Sequence, residues 1–314
     1  MSLTRRTLLQ SVGTAAAGPG GIAAATETAT AGGTYRRIPV DTHTTLFDVV
    51  GTREGPFAVG LEGTLVRRGK DRYRLVSDGY PFEGHTHLYG LDVTGDGRRL
   101  WIVGDECTVA EYDVETGEIR RHDIGIDDRA LVDIGVTGPA GEGTVYIIDG
   151  RGNVFYTFDY GGTWEQYDLG HGTPTVALDR FGERGGVVLD IDGCVFRTLD
   201  GTTWEQFETE GLDRYMFDIA GQREYGTIVG ESGLLISGDE TERHWHVLGD
   251  VDLLGVDYRT KDMFGVTTGF GGTVFEFHED WRRVELPVEF PLFGVYVGEH
   301  TVIVGADGGI FERR

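Results

Sequence analysis

Apolar residues in this chain come in short alternating runs separated by glycine-rich turns, and the runs repeat. The segment VGESGLLIS at 229–237 has counterparts in VGLEGTLVR, VGDECTVAE, IDGRGNVFY, LDIDGCVFR, TGFGGTVFE and VGADGGIFE. Their turn glycines fall at Gly63, Gly152, Gly193, Gly233, Gly272 and Gly308, with Cys107 in that place once, at intervals of 36 to 45 residues. A period of this length marks a repeat architecture. Each copy joins two alternating runs, which predicts a β-hairpin whose turn residue takes a positive φ. A second series precedes the hairpins: LFDV, LYGL, LVDI, TVAL, MFDI, LLGV and LFGV, starting at Leu46, Leu88, Leu131, Thr175, Met216, Leu253 and Leu292. These are apolar on both sides, as strands buried on both faces are.

A fourth strand closes each unit: RYRLV, EIRRHDI, WEQYDL, WEQFETE, HWHVL and WRRVELP. Only six follow their hairpins. The seventh is expected at the other end, because YRRIPV at 35–40 reads like WRRVEL at 281–286. The prediction is an all-β, seven-bladed β-propeller of four-stranded antiparallel blades over residues 34–314, a single domain. Its last blade is closed by the N-terminal strand, which removes the sheet edge an open array would expose.

Composition agrees with this reading: 51 glycines and only 8 prolines punctuate the strands. The formal charge of -24 comes from 52 acidic against 28 basic residues, of which only Lys70 and Lys261 are lysine. Such a surface repels phosphate backbones, so nucleic acid is excluded as a partner. An acidic excess on a hydrophobically patterned chain suits high salt, where self-repulsion is screened; a halophilic source is expected, with an ordinary acidic secreted protein as the alternative. Residues 1–31 differ in kind. Thr4-Arg5-Arg6-Thr7-Leu8-Leu9 resembles a twin-arginine export motif, followed by a mild Ala/Gly stretch and ATA at 29–31, a small-residue cleavage pattern. The stretch is too short and broken to span a bilayer. An exported monomer, extracellular or attached to the cell surface, is therefore expected. Cys107 and Cys194 are too few for a disulfide framework or a cysteine-rich zinc site, and buried inert thiols are expected.

Two stretches are nearly duplicates, TFDYGGTWEQYDLG at 157–170 and TLDGTTWEQFETEG at 198–211. Thr157, Asp159, Gly161, Thr163 and Trp164, and then Thr198, Asp200, Gly201, Thr203 and Trp204, resemble the Asp-box (BNR) turn, the second in a form one residue shorter. With the VGxxGxI turn before it, the repeat is similar to the photosystem II stability/assembly-factor family of Asp-box propellers and more distantly to sialidases. The resemblance implies structural turns between third and fourth strands, on the face opposite the ligand-binding loops.

Function is then sought on the loops entering the inner strands and on the hairpin tips. The longest such loop, 77–90, carries Tyr80, Phe82, His85 and His87; Arg129, Arg214 and Tyr215 precede inner strands and suit an anionic ligand. His85 and His87 lack a third ligand at fixed spacing, so no metal site and no cofactor are expected. Asp48, Asp133 and Asp218 share the third place of inner strands, either as a cation-holding ring or as ties between blades. YRRIP at 35–39 resembles the sialidase motif whose arginine grips the sialic carboxylate, but the repeat register puts Arg37 on an outermost strand, and sialidases are six-bladed. No Walker-type glycine loop, HExxH or GxSxG is present, so no catalytic residue is assigned. The expected function is a non-catalytic module binding a protein or a glycan through the loop-rich face. The alternatives are a sialidase-like glycoside hydrolase and a purely structural wall component.

Overall fold

The computed structural model describes residues 35–313 apart from 79–81, 83–85, 208–211, 222–225, 240–241 and 260. The expected export signal lies outside the described residues. The chain folds into seven four-stranded antiparallel sheets, and no helix among the described residues is long and apolar enough to cross a membrane. The inner strands begin where the sequence repeat puts them: Leu46–Thr52, Leu88–Val93, Leu131–Thr137, Thr175–Phe181, Met216–Gly221, Leu253–Arg259 and Leu292–Val297, in blades 1 to 7. Strands then follow outward in chain order within each blade.

Blade 7 is the composite one. Its inner three strands end with Ile310–Arg313, and the fourth is Arg36–Arg37, paired antiparallel so that Arg36 faces Glu312 and Arg37 faces Phe311. The Ile38 N–H donates to the Ile310 carbonyl at 2.9 Å, and the Ile38 side chain is buried. Beyond it the chain crosses to blade 1, where Val40 bridges Tyr73 and the Tyr73 N–H donates to Pro39 at 2.8 Å. One segment therefore completes the last sheet and grips the first.

Every inner strand has a register shift after its first residue, at Leu46/Asp48, Leu88/Gly90, Leu131/Asp133, Thr175/Ala177, Met216/Asp218, Leu253/Gly255 and Leu292/Gly294. A bulge leaves one residue unpaired and re-aims its side chain. The residues so displaced include Phe47, Tyr89, Phe217, Leu254 and Phe293, which pack into one buried cluster on the loop side of the inner strands. Phe47 stacks on Tyr89 at 5.8 Å and meets Phe293 edge-on at 5.6 Å. The repeated bulge thus builds a hydrophobic plug from five of the seven inner strands.

Candidate functional site

Two regions can present chemistry: the loop-rich face above the plug and the axial channel below it. On the loop face, the hairpin tips of six blades bond the backbone of the loop that enters their own blade, as Leu61 to Thr45, Asp105 to His87, Glu231 to Tyr215 and Ala306 to Pro291, and in blade 3 the Arg129 side chain makes the tie to Asp149. Several tips also reach the next blade's loop, as Cys107 to Arg129 and Gly308 to Thr44. Cys107 adopts φ 56°, so it keeps the left-handed turn that glycine supplies in the other six blades. It is half-buried rather than buried, and its Sγ accepts the Arg129 N–H at 3.3 Å.

The loop-face candidates are spread around the ring. Tyr80 and His85 lie outside the described residues; Phe82 is fully buried in the core between blades 1 and 2. His87 Nδ1 accepts the Glu62 N–H at 3.1 Å, which pins the tip of blade 1. Arg129 donates to Asp149 Oδ2 at 2.7 Å and lies over the Phe155 ring, held within blade 3. Arg214 and Tyr215, entering blade 5, remain accessible, with Tyr215 38% exposed and Arg214 4.0 Å from Asp213. Glu231 fixes the Tyr215 backbone by accepting its N–H. The structure brings these residues to one face without converging them on one point.

On the opposite face, the turns at 157–164 and 198–204 join third to outer strands. Asp159 accepts hydrogen bonds from the Thr157 hydroxyl and from the Thr163 N–H and hydroxyl, all within 2.8 Å. Those bonds hold its carboxyl at about 2. Asp200 likewise accepts the Thr202 and Thr203 N–H groups and the Thr203 hydroxyl. Gly161 and Gly201 both take φ 85°, and a Cβ there would run into His122 and Trp101, or into the Tyr146 hydroxyl, of the preceding blade. The tryptophans lean the same way: Trp164 against Trp101 of blade 2, Trp204 against Tyr146 of blade 3. These turns are inter-blade packing devices, and their carboxylates are saturated by their own loops.

The axial channel is a cavity of about 550 Å³ lined by six carboxylates. Asp48, Asp133 and Asp218 stand at the third place of inner strands 1, 3 and 5. Asp92, Asp179 and Asp257, which the sequence reading passed over, stand two residues further along strands 2, 4 and 6. Each reaches into the following blade: Asp48 to the Leu91 N–H, Asp92 to Val136, Asp133 to Leu178, Asp179 to Gly221, Asp218 to Val256 and Asp257 to Val297, at 2.6 to 3.0 Å. The other oxygen of Asp48, Asp92, Asp133, Asp179 and Asp257 accepts the next N–H of its own strand. Of the two expectations for Asp48, Asp133 and Asp218, the tie between blades is the one these contacts satisfy.

The alternation of levels has a steric reason, since acids at one height would crowd around a narrow axis. A ring of seven cannot alternate completely; blade 7 carries Gly294 and Tyr296 in the two places. Arg180 is the channel's cation and spans to Asp92, with Nε 3.1 Å from Oδ2. Burial pushes Asp179 up to about 7 against the pull of its N–H bonds and Arg180. Burial, together with the charge of Asp179, pushes Asp257 up to about 8.

No protein-family model and no curated protein matches the sequence. Solved structures do match in shape. YCF48 bound to D1 peptide superposes with a TM-score of 0.70 at 16% identity, covering 89% of this chain and 94% of that one. YCF48 from Cyanidioschyzon merolae gives 0.69 at 14%, covering 89% and 98%. The WD40 repeats of RRP9 give 0.75 at 13%, covering 89% and 96%. Likenesses at such identity establish the architecture, and the architecture is a closed seven-bladed propeller.

Proposed function

We propose that this chain is an exported, non-catalytic propeller that binds or assembles with an extracytoplasmic partner through its loop-rich face. The observation that carries the reading is the construction of that face. Entering loops and hairpin tips are bonded to each other and backed by the aromatic plug, which gives a rigid platform with accessible side chains at Arg214 and Tyr215. Preorganisation of this kind lowers the ordering cost of binding. A protein segment is the favoured partner, since the similar YCF48 structure holds a peptide, and a glycan is the alternative. The turns at Asp159 and Asp200 are read as Asp-boxes with a structural role.

The glycosidase alternative is less well supported. Arg37 lies on the outer strand of blade 7, where it donates to the Asp307 carbonyl at 3.2 Å and stands over the Phe290 ring. A photo-crosslinker at Tyr215 in the exported protein, on the surface of producing cells at high salt, should trap a discrete partner. Arg214→Ala with Tyr215→Ala should lower partner binding at least tenfold, and Trp245→Ala on the outer strand of blade 5 should leave it unchanged. Equal crosslinking from positions 215 and 245, or turnover of a fluorogenic sialoside, would count against a loop-face binding module.

A further inference from the structure

One position in the repeat varies with chemical consequence. The residue paired with the first residue of each inner strand is glycine in five blades, namely Gly60, Gly104, Gly230, Gly269 and Gly305. In blades 3 and 4 it is aspartate, Asp149 and Asp190. Both carboxylates are buried at the loop face, and each meets a side chain from the loop entering its blade and the residue four positions on, across the hairpin tip.

Blade 3 fills this arrangement with a permanent cation. Asp149 accepts Arg129 Nη1 at 2.7 Å and Asn153 Nδ2 at 2.9 Å, so the buried charge is neutralised. Blade 4 keeps the carboxylate and exchanges the cation for donors. Asp190 Oδ2 lies 2.7 Å from His171 Nδ1, and its Oδ1 accepts the Cys194 N–H at 2.8 Å. One nitrogen, one oxygen and one sulfur, from His171, Asp190 and Cys194, lie within 4.8 Å of each other. Asp190 and Cys194 are buried, while the His171 side chain is 32% exposed and opens the cluster to solvent.

We propose that His171, Asp190 and Cys194 form a Zn2+ site on the loop face of blade 4, with a fourth coordination position left open toward solvent. Imidazole, carboxylate and thiolate are the ligand set zinc takes in tetrahedral sites, and three protein ligands plus one exchangeable position is the open form of such a site. Bond lengths of about 2.0 to 2.3 Å put tetrahedral donors roughly 3.3 to 3.6 Å apart, so His171 has to swing outward from its 2.7 Å contact with Asp190 and Cys194 Sγ has to close to that spacing from within 4.8 Å for the ion to enter. The charges also balance: a thiolate and a carboxylate neutralise the divalent ion, where in blade 3 a guanidinium neutralises the carboxylate alone. Coordination releases the Cys194 thiol proton to solvent, and the proton held between His171 Nδ1 and Asp190 Oδ2 passes to His171 Nε2 or to solvent. The edge of His171 against the Phe196 ring, at 5.7 Å, limits the swing of the imidazole.

The test uses the full chain, stripped with chelator and titrated with Co2+ as an optical stand-in for Zn2+. A thiolate-to-cobalt charge-transfer band should grow to one equivalent per chain and be abolished by one equivalent of Zn2+. Cys194→Ser should lose the band, and His171→Ala, a change at a solvent-open side chain, should weaken Zn2+ binding at least tenfold. Cys107→Ser should behave as the wild type. Circular dichroism identifies any variant that has failed to fold, and the His171→Ala result then decides. The proposal is overturned by the absence of a band in the wild type, by a band that survives in Cys194→Ser, or by unchanged Zn2+ affinity in His171→Ala. Surface carboxylates, abundant on so acidic a chain, bind cobalt without a charge-transfer band and are not mistaken for the site.

Discussion

At the scale of single residues, the axial aspartates show how one carboxylate serves two strands. All six give one oxygen to the next blade and five of them give the other to their own backbone, so six of the seven seams are stitched by a side chain and not by sheet pairing. Concentrating acids around an axis has a consequence for titration. Asp257 is raised from 3.8 to about 8 and Asp179 to about 7, each by burial first, so the folded state holds protons that the unfolded chain has released. Between about pH 5 and pH 8, above the range where the carboxylates with lowered pKa titrate in the unfolded chain, these two sites bind more protons in the native state than in the unfolded one, and stability falls as pH rises across that window. The two sites interact, so the midpoints belong to the pair. Thermal melts should show a declining midpoint from pH 5 to pH 8.5. Asp257→Asn should melt lower at pH 5, having lost an acceptor for a backbone N–H, and should show a flatter decline. A variant that kept the full wild-type slope would show that the axial acids do not carry the proton.

At the scale of elements, the seventh seam is built differently, because among the described residues no inner-strand aspartate of blade 7 reaches blade 1. Alternate residues of the strand Ile310–Arg313 point to opposite faces of its sheet, so Glu312 reaches blade 1 and Arg313 reaches Glu276 of blade 6. Glu312 takes a two-pronged contact from Arg68, with Nη2 at 3.1 Å, and a hydrogen bond from the Tyr73 hydroxyl, also at 3.1 Å. The pair is largely buried, so Glu312→Ala leaves the Arg68 charge uncompensated and should cost about 3 to 5 kcal/mol. Arg68→Met with Glu312→Leu should cost much less. Chemical denaturation of the three proteins checks this, and a single variant within about 1 kcal/mol of wild type would refute it. The strand content of this seam was legible beforehand, because YRRIPV and WRRVEL share a pattern that register turns into a position. Its ion pairs were not legible, since Arg68 and Glu312 are 244 residues apart. The inner-strand acids were half legible: Asp48, Asp133 and Asp218 share a place in the repeat, whereas Asp92, Asp179 and Asp257 sit one pleat later and fall outside the aligned motif. The seven bulges left no mark in the apolar pattern, because strands buried on both faces carry no alternation to be interrupted. His171 escaped notice for a related reason, since its distance to Cys194 belongs to the hairpin's path and not to a ligand spacing.

At the scale of the whole molecule, the ring's interior and its surface make opposite demands on salt. The pairs Arg68–Glu312 and Arg313–Glu276 are shielded from solvent and respond weakly to ions. The outer surface carries most of a net charge of -24, and mutual repulsion there disfavours the compact state until it is screened. The screening length falls from about 10 Å at 0.1 M to about 3 Å at 1 M, which removes repulsion between all but adjacent charges. The melting midpoint should therefore rise by about 5 °C or more between 0.1 M and 2 M KCl, worth roughly 3 kcal/mol for a chain of this size. Glu54, Asp127 and Glu142 are exposed, and reversing all three to lysine moves the formal charge from -24 to -18. The triple variant should be more stable than the wild type at 0.1 M KCl and gain less from added salt. If its salt response matched that of the wild type, or if the wild-type midpoint stayed flat across the range, the acidic surface would be an ordinary solubility feature and the expectation of a high-salt setting would fall.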